Sequence, residues 1–175
     1  MISTQRALVA LVFGLLIAAG CRSTGSQSLA TFKMGEKVQL GPLVYNITEA
    51  EWRAELGADA DRRVPANRFL VIRLSITNGG GSDAYVPLLS LIDKDGKEYM
   101  ELSEVKGVSD WMGVLRQINP AGTEDGRIVF DVPAGPYKLR LTDGGRPGEE
   151  RLAAVEIPLQ LGPGGQTYSG GQATP

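Results

Sequence analysis

Apolar and polar residues alternate along most of the chain from residue 36 to residue 161, and the alternation predicts strands rather than helices. The longest run is 67–78, where Leu70, Ile72, Leu74 and Ile76 fall on one side and Arg73, Ser75 and Thr77 on the other. Successive side chains of a strand point to opposite faces, so one face of this run belongs to a core and the other to water. Phe69 and Val71 break the rule at its N-terminal end, which predicts that neighbouring chain covers both faces there.

Turn residues divide the rest. Gly41-Pro42 separates a strand at 36–40 from one at 43–51, and Gly79-Gly80-Gly81 ends the long strand. Residues 83–93 form an extended stretch in which Pro87, unable to donate to a ladder, marks an edge or a bulge. Asp95-Gly96 is a hairpin signal between 88–93 and 97–101. Asn119-Pro120-Ala121-Gly122 leads into 126–132, and the turn from Pro133 to Pro136 leads into 137–142. Val155, Ile157, Leu159 and Leu161 then close the set on one inward face. About eight strands and no long helix result, with a short helical turn expected near 109–114; many short strands between turn signals argue for an all-β sandwich.

The first 20 residues stand apart. Arg6 precedes the apolar run 7–19, which is shorter than the roughly 20 residues a membrane span needs, and Ile17-Ala18-Ala19-Gly20 leads directly to Cys21. Small residues followed at once by cysteine resemble the lipobox of bacterial lipoproteins, and the resemblance implies that Cys21 becomes the acylated first residue of the mature chain. Cys21 is the only cysteine, so no disulfide partner exists within the chain. Residues 1–20 are therefore expected to be a lipoprotein signal peptide, 21–30 a flexible lipid-anchored tether, 31–161 the folded domain and 162–175 a disordered tail rich in Gly, Gln, Ser and Thr. Acyl chains give stable attachment to a membrane without crossing it. That places the domain in the periplasm or outside the cell, on the cell membrane or an outer membrane. Arg22 in place of an aspartate after the cysteine resembles lipoproteins sent to the outer one.

Without residues 1–20, which hold one basic and no acidic side chain, 17 basic face 20 acidic residues, a net charge of −3. That balance gives no basic footprint for a nucleic-acid partner. The chain has no histidine, so with Cys21 committed to lipid the Ser-His-Asp and Cys-His nucleophiles and histidine zinc sites are unavailable. Ser103-Glu104-Val105-Lys106 fits a Ser-x-x-Lys pair but lacks its companion elements, and reads as a solvated loop. Asp93-Lys94-Asp95-Gly96 has the carboxylates and glycine of a calcium loop, yet Leu91 and Leu102 would fall on its first and last ligand positions; a hairpin turn accounts for it. Asp59 and Asp61 are a weak metal candidate, with Arg62 and Arg63 beside them able to neutralise their charge. No cofactor is expected.

Met34-Gly35-Glu36-Lys37-Val38, the strand at 67–78 with its glycines, Leu91 to Tyr99 with the Asp95-Gly96 hairpin, Ile118 to Gly122, and Val129-Phe130-Asp131-Val132-Pro133 occur in this order. Together they resemble the telokin-like, immunoglobulin-like domain of unknown function found in bacterial extracellular lipoproteins. The resemblance covers nearly all of 31–161 and implies an immunoglobulin-like antiparallel β-sandwich on a surface lipoprotein. It carries no catalytic residue. The inserts 53–66 and 104–113 depart from it.

The expected function is a lipid-anchored extracytoplasmic binding or interaction module rather than an enzyme, attached to the membrane through Cys21 and meeting a protein partner in the envelope. The alternatives are a structural subunit of an envelope complex and a hydrolase using carboxylates or a Ser-Lys pair. Strands counted alternately up and down put 104–113 at the end opposite to 53–66, away from the tether. Trp111 and Met112 are thereby the candidate partner contacts, because an aromatic and a flexible thioether make good anchors.

Overall fold

The computed structural model describes residues 29–159 except 147. Cys21 and the tail 162–175 lie outside the described residues. Eleven strands follow in chain order: β1 (Ala30–Lys33), β2 (Lys37–Leu40), β3 (Leu43–Arg53), β4 (Arg68–Asn78), β5 (Ala84–Val86), β6 (Ser90–Ile92), β7 (Glu98–Met100), β8 (Arg116–Ile118), β9 (Thr123–Val132), β10 (Tyr137–Thr142) and β11 (Leu152–Ile157). They form a five-stranded sheet ordered β1-β11-β10-β6-β7, a four-stranded sheet ordered β2-β3-β4-β9, and a two-stranded ribbon of β5 and β8. This is the expected all-β sandwich.

The inward residues of the period-two pattern make the core. Leu70, Ile72, Leu74 and Ile76 of β4 meet Tyr45 and Ile47 of β3, Ile128 and Phe130 of β9, and Leu139, Leu141 and Val155 from the facing sheet, all buried. Apolar burial on this scale, about 1.5–3 kcal/mol for each large side chain, is what holds the two sheets together. Gly41-Pro42, Asp95-Gly96 and the 119–122 turn all lie between strands as expected. The Asp93 carboxylate builds the Asp95-Gly96 hairpin: its Oδ1 accepts from the Asp95 and Lys97 N–H groups, each at 2.9 Å. Those backbone hydrogen bonds, Lys97 first, hold its pKa below the usual carboxylate value. Protonation would therefore loosen the hairpin only as pH falls through that lowered value.

Several expectations need correction. Ala30, assigned to the tether, opens a strand, and β1 lies parallel to β11, so the sandwich is not wholly antiparallel. Residues 83–93 split at Pro87 into β5 and β6, and β8 was not foreseen. The closing strand ends at Ile157 because Pro158 cannot continue the ladder, leaving Leu159 exposed outside it; Leu161 lies outside the described residues. In place of a helical turn at 109–114, Trp111 pairs with Arg127 in a parallel bridge.

The chain from Leu102 to Met112 does not reverse as a further strand. It runs as a strap along the free edge of β9: the Leu102 N–H donates to the Val129 carbonyl at 2.8 Å, Arg127 N–H to Asp110 O at 2.7 Å, and Met112 N–H to Arg127 O at 3.0 Å. Covering an edge in this way removes a template for unwanted strand pairing. The strap and the 53–66 insert touch each other. The Arg63 Nη1 donates to the Glu104 carbonyl at 2.8 Å, and a Cβ on Gly107 would lie 2.3 Å from the Gly57 Cα. Hence 104–113 is not at the end opposite to 53–66. Between them they bury Phe69 and Val71 on the outer face of β4, with Leu56, Val105 and Val129, in a second small core.

Candidate functional site

Four strands of the five-stranded sheet finish side by side. The register Lys33↔Glu156, Glu156↔Lys138 and Lys138↔Ile92 sets one residue from each of β1, β11, β10 and β6 in a row across the sheet. Beyond that row only Tyr137 and Ile157 still pair, and Pro136 before β10 and Pro158 after β11 stop the ladder. The result is a cleft of about 550 Å³, within the usual size of small-molecule sites. Its apolar surface comes from Met34, Ile92, Pro136, Tyr137, Ile157 and Pro158.

Tyr137 and Ile157 are the buried floor. The Tyr137 ring is held from below by Trp52, with centroids 6.2 Å apart, and by Tyr99 edge-on at 5.8 Å. Its hydroxyl donates to the Pro133 carbonyl at 2.6 Å. Loss of water around that hydroxyl, more than the nearby Tyr99 and Asp93, raises its pKa to about 12, so it stays a protonated donor. Lys33, Lys94 and Lys138 bring ammonium groups to the lining and Asp93 and Glu156 bring carboxylates. Lys94 is already paired with Asp95 at 2.6 Å. The Asp93 Oδ2 accepts from the Tyr99 hydroxyl at 3.2 Å, so both its oxygens have partners.

Trp111 and Met112 are elsewhere, on the strap. Trp111 is half-buried against the second core, with its indole N–H shut off from solvent and without a hydrogen-bond partner among the described residues. Met112 turns to the inner face, where the missing side chain of Gly126 makes room: a Cβ there would lie 2.4 Å from the Met112 Cγ. The exposed apolar groups of this region lie just past Gly113, Val114 at 40% and Leu115 at 94% exposure. Asp59 and Asp61 stand exposed on a 3-10 turn (Asp59–Asp61). Arg62 does not neutralise them; its Nε donates to Glu55 at 2.7 Å, while Arg63 reaches Glu104. Among the described residues no third carboxylate, histidine or cysteine joins the two aspartates. Ser103 and Lys106 are exposed on the strap.

The sequence reading missed the cleft and one buried ion pair. The guanidinium of Arg116 grips the Glu101 carboxylate, with the two side chains 1% and 0% exposed. Arg116 also donates from Nε to the Gly113 carbonyl at 3.0 Å, and Glu101 accepts the Leu89 N–H at 2.9 Å. Arg116 shares the inward side of β8 with Ile118 while Gln117 points out, an alternation that could have flagged it.

The family profile described as "Domain of unknown function (DUF4352)" matches residues 32–148. The chain belongs to the DUF4352 family. No curated protein matches it. Its fold is similar to that of the yjhA protein from Bacillus subtilis, with a TM-score of 0.54 and 12% identity over 71% of this chain and 99% of that one. It is also similar to MPT63, a secreted protein from Mycobacterium tuberculosis, with a TM-score of 0.54 and 18% identity over 75% of this chain and 100% of that one. A third similar structure is a lipoprotein candidate, ycdA, from Bacillus subtilis, with a TM-score of 0.56 and 16% identity over 70% of this chain and 38% of that one. At these identities the likeness concerns the fold. That likeness agrees with the two-sheet sandwich built here from register and burial.

Proposed function

We propose that this DUF4352 protein is a non-enzymatic, telokin-like binding module, held on the outer side of a membrane by lipid on Cys21, with the open end of its five-stranded sheet as the binding site. The observation that carries the reading is the apolar cleft at the far end of β1. Ala30 enters the sheet beside Ala153 and Lys33 leaves it beside Glu156, so an anchor joined before Ala30 directs the cleft away from the membrane. Among the described residues no helix is long and apolar enough to cross a membrane, which suits attachment by lipid. The intact mass of the membrane-extracted protein is expected to equal the chain from Cys21 plus its acyl groups. A Cys21→Ser form that still stays on salt-washed membranes would overturn the anchor.

A second reading, a subunit of an envelope complex, is favoured by Leu115, an almost fully exposed leucine beside the strap. Here Trp111 and Met112 shape the base of the contact and Leu115 makes it. Leu115→Asp is expected to leave the melting temperature within the small range of surface substitutions, about 0.5 kcal/mol, while releasing the partner in cross-linking on intact cells. Trp111→Ala should instead cost about 2 kcal/mol, less than a fully buried tryptophan. Equal losses of stability at both positions would remove the contact reading.

A further inference from the structure

We propose that the gap between β9 and Leu115 takes an extended basic segment of a protein partner, which pairs with the uncovered edge of β9 at Asp125 and sets a lysine or arginine beside Glu124 and Asp125. The inference rests on the Leu115 contact reading and adds the class of partner.

The backbone half follows from where the strap ends. Arg127 uses both of its outward groups on the strap: its N–H donates to Asp110 O at 2.7 Å and its carbonyl accepts from the Met112 N–H at 3.0 Å. Backbone groups of a strand face alternate sides, so the N–H and carbonyl of Asp125, two residues away, point to the same free edge. The strap has already left by then. After Met112 the chain turns at Gly113 and runs out to Leu115 before β8, and among the described residues no backbone group beyond the β4 ladder bonds to Asp125. The gap holds about 300 Å³, with Trp111, Met112 and Leu115 in one wall and Glu124 and Asp125 in the other. That is room for a short stretch of chain, at the lower end of ligand-site volumes. A strand added there gains main-chain hydrogen bonds from the edge, while its side chains meet the two walls.

The charge half follows from the carboxylates. Asp110, Glu124 and Asp125 all reach the lining. Asp110 is held by Arg127 at 3.1 Å, and the one cation of the lining, Arg116, is closed on Glu101. Glu124 and Asp125 are exposed, and among the described residues neither has a cation within 4.0 Å. Gln117 adds a further negative charge nearby by donating to Asp83 at 2.7 Å. Against these stands Arg73, exposed on the outer face two residues along β4 from Ser75, the ladder partner of Asp125; Lys37 shares that row, three strands away. The balance at the gap is negative, so an acidic strand is repelled from the edge and a basic one is drawn to it. The stem of a lysine or arginine can lie on Leu115 while its charged end reaches the carboxylates.

The probes are three capped pentapeptides, Val-Lys-Val-Lys-Val, Val-Gln-Val-Gln-Val and Val-Glu-Val-Glu-Val. Each is titrated into the full chain carrying Cys21→Ser and followed by the amide resonances of Asp125 and Leu115. The lysine peptide is expected to bind one to one, about tenfold tighter than the glutamate peptide, with the glutamine peptide between. Glu124→Gln with Asp125→Asn should bring the three within about twofold of one another, at unchanged melting temperature because both side chains are exposed. Methylating alternate backbone nitrogens of the lysine peptide should abolish binding for one alternate set and spare it for the other, since only every second N–H of a strand faces its neighbour. Equal binding of the lysine and glutamate peptides, an unchanged preference in the double variant, equal effects of the two methylations, or no shift with any peptide would overturn the proposal. Any of these outcomes alongside release of the cellular partner by Leu115→Asp would keep the contact at Leu115 and remove the basic segment. Lysine-peptide preference with the partner retained in Leu115→Asp would support the edge site and remove the Leu115 contact.

Discussion

Replacing Arg116 with alanine is expected to lower the stability of the domain by about 3–5 kcal/mol, the range found when one partner of a buried ion pair is removed. The reason is local. Glu101 would keep its carboxylate at 0% exposure with no counter-charge, and the Gly113 carbonyl would lose the donors it now has from Nε at 3.0 Å and Nη2 at 2.7 Å. Glu101 follows β7, Arg116 opens β8, Leu89 precedes β6 and Gly113 turns the strap, so the pair ties β8 and the strap to the end of the β6–β7 hairpin, to which no ladder connects them. Replacing both partners by apolar residues, Arg116→Met with Glu101→Leu, would remove the charges but orphan the Leu89 N–H and the Gly113 carbonyl, a cost of about 1–3 kcal/mol each. The double variant should therefore be more stable than Arg116→Ala and less stable than the parent. Urea unfolding with an unchanged slope checks this. A loss below about 1 kcal/mol for Arg116→Ala would mean that the pair does not clamp the strap.

The strands were legible where one side of the chain is core and the other is water. β4, β9 and β10 each carry three or more inward apolar residues at spacing two, and their register turns them toward one another as the pattern requires. The strap was not legible by that criterion because it obeys another period. Leu102, Val105, Val108 and Trp111 recur every third residue and together face the second core. A search for spacing three in the segment would have found the face, and Phe69 with Val71 had already signalled that something covers the outer side of β4. The cleft left no local signal at all. It is made of two or three residues at each of the ends of β1, β6, β10 and β11, and only the parallel pairing of β1 with β11 brings Lys33 beside Glu156. Sequence reading counts strands but does not order them, so counting them up and down sent the strap to the wrong end.

Substitutions at three consecutive positions of β4 should separate sharply. Ile72 and Leu74 are 0% and 1% exposed and Arg73 between them is exposed, so Ile72→Ala and Leu74→Ala should each cost about 2–5 kcal/mol and Arg73→Ala about 0.5 kcal/mol. The two large losses should not be equal. Ile72 lies between Ala50 and Ile128, a pair of short or β-branched side chains that cannot move into a cavity. Leu74 lies between Ile47 and Gly126, and over Gly126 sits Met112, whose unbranched side chain can shift toward the gap. Ile72→Ala should accordingly fall in the upper half of the range and Leu74→Ala in the lower half. On the outer face the same logic divides Val71 from Ser75: Val71→Ala should cost about 1–2.5 kcal/mol because the strap and the insert bury it, whereas Ser75→Ala, beyond their reach, should be near neutral. Thermal and urea melts of the five variants test the register and the strap together. Similar losses at 72, 73 and 74 would break the register, and a neutral Val71→Ala would mean that the strap contributes no packing to the outer face.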